Sequence, residues 1–534
     1  MPPIRDRPKV QPNAIPVGRP KQKVGEKQKV GKPPIEVRKP VIDVQKQEHE
    51  NAEIEEIPDE SLDLEGTSHR VIRVSKTGDI ILDVRFENTR ACTKSIPSET
   101  IQKLKLSKEP FPSARVFYRV RLDVLKQNSK YFERLLGSDV FGEGQIVSAK
   151  LAEFAQSKVD PSTLPANELP RIKIVDEDEA TRTLGRETIF QDMLSILHAT
   201  NHSSKTINLL YLSILVIMAD RYDCMTTVSR YITSKFSSFR YPPTLEKTLE
   251  EVVRQKILIF YHTNQAPRFA TATKELILRG SSRWTVYEDV DPDVGAAWWD
   301  LPENLEAELS YRRSRILVTI SSLQNYFLSL YTSRTRQCSL GYDSSPACDS
   351  FQLGEMIKFL TRKNLLSLVP FQVVPPEDPA FIWPVAYTSD IEQLVSTLRQ
   401  CPSYQIDKNH GHCGLRSKLL PALDYIKDCL DTGIGLHVRL WKSERSTQTW
   451  VPVSSTNGSS LKKAFVVGDK TVGEEKNEKS FDFTSLTRED LVFGGKALGA
   501  DKAARKLFSA ESWIWIREID KEKERMAKSS VFRF

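Results

Sequence analysis

Two runs constrain what this chain can fold into. The first is Gly78-Asp79-Ile80-Ile81-Leu82-Asp83-Val84. The second is Phe117-Tyr118-Arg119-Val120-Arg121-Leu122-Asp123-Val124-Leu125, continued by Ser129-Lys130-Tyr131-Phe132. Ile80, Leu82 and Val84 alternate with Ile81 and Asp83, the period-two pattern of a half-exposed strand. The second run opens as a strand and then changes period. Leu122, Leu125, Tyr131, Phe132, Leu135 and Leu136 recur at helical spacing. Two strands feeding an amphipathic helix build a small mixed core, which suits an interaction module better than a catalyst.

The order of these residues resembles the BTB (POZ) domain. In that family a G-D-[VIL]-x-[LIV] hairpin strand precedes F-x-V-H-K-x-V-L and S-x-x-F. Here Tyr118, Val120, Val124, Leu125, Ser129 and Phe132 fall on the matching positions. Ile172-Lys173-Ile174-Val175-Asp176 is similar to the family's next strand. Phe190 to His198 is similar to its third helix, and Leu215 to Cys224, with Ala219-Asp220-Arg221-Tyr222-Asp223, to its A-D-[KR]-Y helix. The resemblance covers residues 70 to 240 and rests on several motifs in order. It implies an α+β fold, a small mixed sheet flanked by helices, followed by an α-helical region of the kind abundant in fungal BTB proteins.

The expected organisation is a disordered basic, Pro-rich tail over 1–67 and a BTB module over 68–240. An α-helical domain over 241–442, a linker over 443–480 and a charged helical segment over 481–534 follow. The tail carries no aromatic residue, so it cannot bury enough apolar surface to offset its ordering entropy. Insertions at 89–112 and 138–170 are expected as surface loops, the second because of Gly142, Gly144, Asp160-Pro161 and Leu164-Pro165. Helices are expected over 245–262, 305–331, 353–360, 391–398 and 419–430. Leu309, Ile316, Ile320, Leu323, Phe327 and Leu330 mark one face of the longest. Trp284, Trp298 and Trp299 are expected to pin their loop onto these helices. A last helix over 500–527, carrying Trp513, Trp515 and Ile516, is expected to dock on the body.

The formal net charge of +7 over 534 residues is modest and concentrated in the tail. Nucleic-acid contact, if any, is expected only through that tail. Seven widely spaced cysteines and an apolar-poor N-terminus suggest a reducing, nuclear or cytoplasmic setting with no signal peptide. The most apolar run, 207–219, is too short to span a bilayer and reads as a buried helix.

No Gly-rich phosphate loop, G-x-S-x-G elbow or H-E-x-x-H helix occurs. No catalytic, cofactor or metal residue is assigned, and the chain is expected to be non-enzymatic. One group carries possible ligand chemistry: Cys401, His410, His412 and Cys413, with Cys338 and Cys348 upstream. Its spacing matches no known finger and lacks C-x-x-C, so buried thiols are the expected outcome.

The family resemblance implies protein partners and self-association, with Val71-Ile72-Arg73-Val74 as a strand that dimers could exchange. It also allows a cullin adaptor, through the acidic 176–186 loop, or a nuclear regulator. The corepressor groove of the family pairs the Asp79 position with a basic residue. Here that pair reads Arg121-Leu122, so Asp79 is expected to serve as a hairpin or surface residue.

Overall fold

The computed structural model describes residues 60–64, 67–87, 99–100, 113–137, 141–177, 185–243, 250–284, 296–338, 340, 345–366, 389–410, 413–452, 480–486 and 500–515. The chain divides at Pro58/Asp59 into two units, and the first lies outside the described residues. Most of the expected tail, most of the 89–112 insertion and the middle of the expected linker lie outside them as well.

The second unit is mixed α+β. Strands β1 (Glu60–Leu64), β2 (Thr67–Arg73), β3 (Ile80–Glu87), β4 (Ser113–Val120) and β5 (Arg171–Glu177) form one sheet in the order β1-β2-β4-β3-β5. The runs at 80–84 and 117–120 are neighbouring strands. β3 and β4 pair antiparallel, with Ile80 opposite Val120 and Leu82 opposite Tyr118. β5 lies parallel to β3 on its other side, and β2 runs parallel to β4 through Val71–Arg73. Residues 60–64, which composition assigned to the tail, instead pair antiparallel with β2. Leu62 and Val71 bury their side chains there, which draws the start of the fold forward into the polar stretch.

The period-two pattern gives the sheet two faces. Ile80, Leu82, Val84, Phe86, Tyr118, Val120, Ile172 and Ile174 meet the helices α1 (Leu122–Asn128), α2 (Lys130–Gly137), α4 (Arg186–Leu197), α5 (Leu209–Arg221) and α6 (Met225–Lys235). Ile81, Phe117, Val71 and Leu62 form a smaller core on the other face with Ala166 and Leu169. That second layer corrects the reading of 138–170 as a surface loop. Gly142–Gln156 is a helix, α3, and Leu164 and Phe154 pack on the sheet's outer core. Gly142 and Gly144 sit in its first turn, where helix-breaking counts least, while Val147, Leu151 and Phe154 recur at helical spacing.

The helices expected downstream form: α7 (Glu250–His262), α9 (Leu305–Thr332), α10 (Ser345–Arg362), α11 (Ile391–Arg399) and α12 (Leu415–Thr432). α8 (Ala266–Arg279), α13 (Val438–Ser443) and α14 (Arg445–Gln448) add to them. α7 packs against both α5 and α8, and one apolar cluster runs from Ile80 to Trp515. Trp298 is buried, Trp284 Nε1 donates to Glu306 Oε1 (2.7 Å), and the Arg254 guanidinium lies over Trp299 (5.0 Å), so the tryptophan loop is pinned as expected.

Two boundaries differ from expectation. Residues 443–452 are part of the packed body: Trp450 is buried beneath Arg312, 4.4 Å from its ring centroid. The C-terminal helix, α15 (Ala500–Phe508), is far shorter than the expected 500–527. Ser512–Ile514 then forms β7, parallel to β6 (Ser480–Asp482). The Trp-Ile-Trp run favours a strand, with Trp515 buried against Phe481 and Phe483 while Ile514 points outward. The aromatic segment therefore docks on the body, though not as a helix. Ile516 lies outside the described residues.

Candidate functional site

The motif residues quoted above come from separate segments and touch one another. Asp79, in the turn between β2 and β3, accepts a hydrogen bond from the backbone N–H of Leu122 (2.8 Å), the first residue of α1. Its carboxylate thus caps an orphan donor at a helix start, where negative charge is favoured. Partial burial raises its pKa, and the Leu122 bond opposes that rise. Arg121 pairs instead with Asp123 (3.0 Å). Asp79 is therefore a part-buried capping residue and not the hairpin residue expected, because β2 and β3, the strands on either side of it, are separated in the sheet by β4.

Ser129 performs a second junction. Its hydroxyl donates to the Tyr222 carbonyl (2.6 Å) and accepts from Phe132 N (3.1 Å), which opens α2 and ties it to the end of α5. The Phe132 and Tyr222 rings stack at 5.8 Å, and Phe190 meets Tyr222 edge-on at 5.3 Å. Tyr118 packs on Phe190 (5.4 Å), and its hydroxyl donates to the Glu187 carbonyl (2.8 Å). The S-x-x-F, third-helix and A-D-[KR]-Y segments thus share one aromatic knot.

Charged groups inside the module are compensated. Asp176 and Arg186 are both fully buried and paired at 2.7 Å, and Arg221 reaches the other carboxylate oxygen. Arg186 also donates to the Glu87 and Asp176 carbonyls. The two ends of the loop considered for a cullin contact are therefore held by each other. Residues 178–184 between them lie outside the described residues. Arg119 is fully buried and donates to the carbonyls of Gly78 (3.0 Å), Pro161 (3.2 Å) and Ser162 (2.8 Å). It clamps the turn between β2 and β3 to the second layer. That layer stops short of β5, where Arg171, Lys173 and Val175 are exposed and Val175 shows 53% of its surface. β1 and β5 form the sheet's margins. The strand proposed for exchange, Val71–Arg73, lies in its own chain's sheet.

The second place with distinctive chemistry is the cysteine–histidine group. Of its six members, Cys338, Cys348, His410 and Cys413 come together, all buried, with their ligand atoms within 4.8 Å of one another. Cys338 Sγ lies 3.5 Å from His410 Nδ1 and 3.6 Å from Cys413 Sγ. Cys338 follows the end of α9, Cys348 lies in the first turn of α10, and His410 and Cys413 precede α12. Cys413 N donates to the His410 carbonyl (3.1 Å), which holds these two residues together. Gln337 N donates to Asp349 Oδ2 (2.8 Å), which holds the Cys338 loop against α10. Burial and the neighbouring sulfurs push the Cys348 thiol up to about 12. Cys401 is not a member. It sits in the main apolar core, its thiol pushed up to about 11 by burial. His412 lies outside the described residues.

A shallow cleft between α8, α11 and α12 is lined by Leu278, Glu392, Val395, Lys427 and Asp431. Asp431 is already paired with Lys427 (2.7 Å). No described helix is long and apolar enough to cross a membrane, and the 207–219 run forms the buried helix α5. No family model matches this chain, and neither does any curated protein or solved structure.

Proposed function

We propose that residues 68–240 are a BTB-type contact module and that the protein is a non-enzymatic, self-associating scaffold or adaptor. The observation that carries the reading is the convergence of its motif residues. Asp79 caps α1, Ser129 bonds the Tyr222 carbonyl, and Phe132, Phe190 and Tyr222 share one aromatic knot. Four chance matches scattered along a sequence have no reason to interlock in this way. The β3–β4 hairpin with β5 parallel to β3, followed by helices on one face, agrees with the fold that the resemblance implies.

A contact role also suits the margins. β1 and β5 end the sheet, and β5 presents Arg171, Lys173 and Val175 outward. Edge strands offer backbone donors and acceptors to a partner strand. Sedimentation velocity on the full chain at low micromolar concentration tests the proposal. A dimer that dissociates on dilution is the expected result. A single monomeric species up to tens of micromolar would remove self-association, because a Kd above that range is too weak for a standing scaffold.

A further inference from the structure

The six cysteines among the described residues fall into two populations. Cys224, Cys401 and Cys429 are embedded in the main apolar core, the ordinary fate of a buried thiol. Cys338, Cys348 and Cys413 are also buried, but form a cluster apart from that core, with Leu340 the partly buried apolar residue packed against it. A buried histidine, His410, completes the group. Core packing accounts for the first three thiols and leaves the second three, with their histidine, without a reason to meet.

We propose that Cys338, Cys348, His410 and Cys413 bind a zinc ion in a closed, structural Cys3His site. The spacing argues for it. Tetrahedral zinc, with Zn–S near 2.3 Å and Zn–N near 2.0 Å, sets S···S edges of about 3.8 Å and S···N edges of about 3.5 Å. The Cys338–Cys413 and Cys338–His410 separations are 3.6 and 3.5 Å, already at those edges. The widest pair in the set stays within 4.8 Å, so closure needs a shift of about 1 Å.

The surroundings fit a ligand shell. None of these cysteines is in a disulfide. His410 turns Nδ1 toward the Cys338 sulfur, while Nε2 lies 3.7 Å from Asp407 Oδ2. A carboxylate on the far ring nitrogen is the usual orienting partner of a metal-bound histidine. All four tetrahedral positions would be filled by protein, leaving none for water or substrate, so the site is structural. It joins the end of α9, the start of α10 and the approach to α12, segments far apart in the chain. The bonded His410–Cys413 pair takes the place of the C-x-x-C pair that the sequence lacks.

The test is metal analysis of the full chain, purified under reducing conditions without added chelator. About one zinc per chain is expected, falling at least about tenfold in Cys413→Ser and unchanged in Cys401→Ser. If Cys413→Ser fails to fold, the wild-type chain is stripped of metal and titrated with Co2+. A thiolate-to-cobalt charge-transfer band and a tetrahedral d–d spectrum, both displaced by zinc, are then expected. Metal-free protein that gives no such spectrum overturns the proposal. So does zinc retained by Cys413→Ser, or a Cys338–Cys413 disulfide in the freshly isolated, non-reduced chain. None of these readouts depends on whether the protein self-associates.

Discussion

The buried Asp176–Arg186 pair makes a sharp test of the module. Both side chains are fully buried, and their 2.7 Å contact crosses from the end of β5 to the first residue of α4. Replacing Asp176 with Asn keeps the shape and removes the charge. Arg186 would keep its bonds to the Glu87 and Asp176 carbonyls, so its hydrogen-bonding capacity is mostly met. Its charge would not be. Breaking one partner of a buried pair costs about 3–5 kcal/mol, because the remaining ion is left uncompensated in a poorly polarisable interior. Arg221 adds little to the loss, being 40% exposed, since exposed pairs contribute only about 0–1 kcal/mol. The carbonyls that remain place the expectation for Asp176→Asn near the lower end, about 3 kcal/mol. Urea unfolding followed by Trp fluorescence and far-UV dichroism reads it as a lowered midpoint at unchanged slope. Asp176→Leu/Arg186→Met should recover much of the loss, since paired apolar replacement removes both charges. A cost below about 1 kcal/mol for Asp176→Asn would refute the claim that this pair holds α4 on the sheet.

Other expectations follow from single contacts. His198 is fixed as a neutral ring: Nδ1 donates to the Leu194 carbonyl (2.8 Å) and Nε2 accepts from Arg121 N (3.0 Å). Burial holds its pKa below the usual histidine value. The unfolded chain therefore binds the proton more readily, so this contribution is full above about pH 6.5 and is lost as pH falls toward the depressed folded value. His198→Gln should flatten that part of the stability–pH curve between neutrality and pH ~5, and an unchanged slope would dismiss the assignment. A Cβ at Gly78 would meet Arg119 Cγ at 2.6 Å, and the clamped guanidinium cannot retreat. Gly78→Ala should cost about 1–3 kcal/mol, read as a lowered melting temperature. Trp515→Ala should free the β6–β7 ribbon from α9, detected as faster proteolytic cleavage near 512–515 with the β1–β5 sheet still protected from hydrogen exchange.

The strongest local patterns were legible in the sequence. The alternation of 80–84 specified a strand whichever partners it found. Leu309, Ile316, Ile320, Leu323 and Phe327 specified the long helix, and all are buried in α9. Periodicity reports which side of an element meets apolar matter, and this survives ignorance of the rest. The 142–156 helix was missed because two glycines and nearby prolines outweighed a sparse apolar spacing. The sequence alone reads 512–514 as helix, because the strand character of β7 depends on β6, a partner that lies outside the segment.

The arginines show the limit most clearly. Arginine is among the residue types least often fully buried, yet Arg119, Arg186, Arg254 and Arg312 all are. Each is tolerable only because distant carbonyls or carboxylates converge on it: Arg312, for example, reaches the Ile434 and Gln448 carbonyls and Glu308. The cysteine–histidine group divides the same way. The sequence could name six residues with soft-ligand chemistry, because composition is local. Which four meet is a matter of where three separate segments come to rest, and only tertiary packing brings Cys338 and Cys348 to His410 and Cys413 while leaving Cys401 in the apolar core.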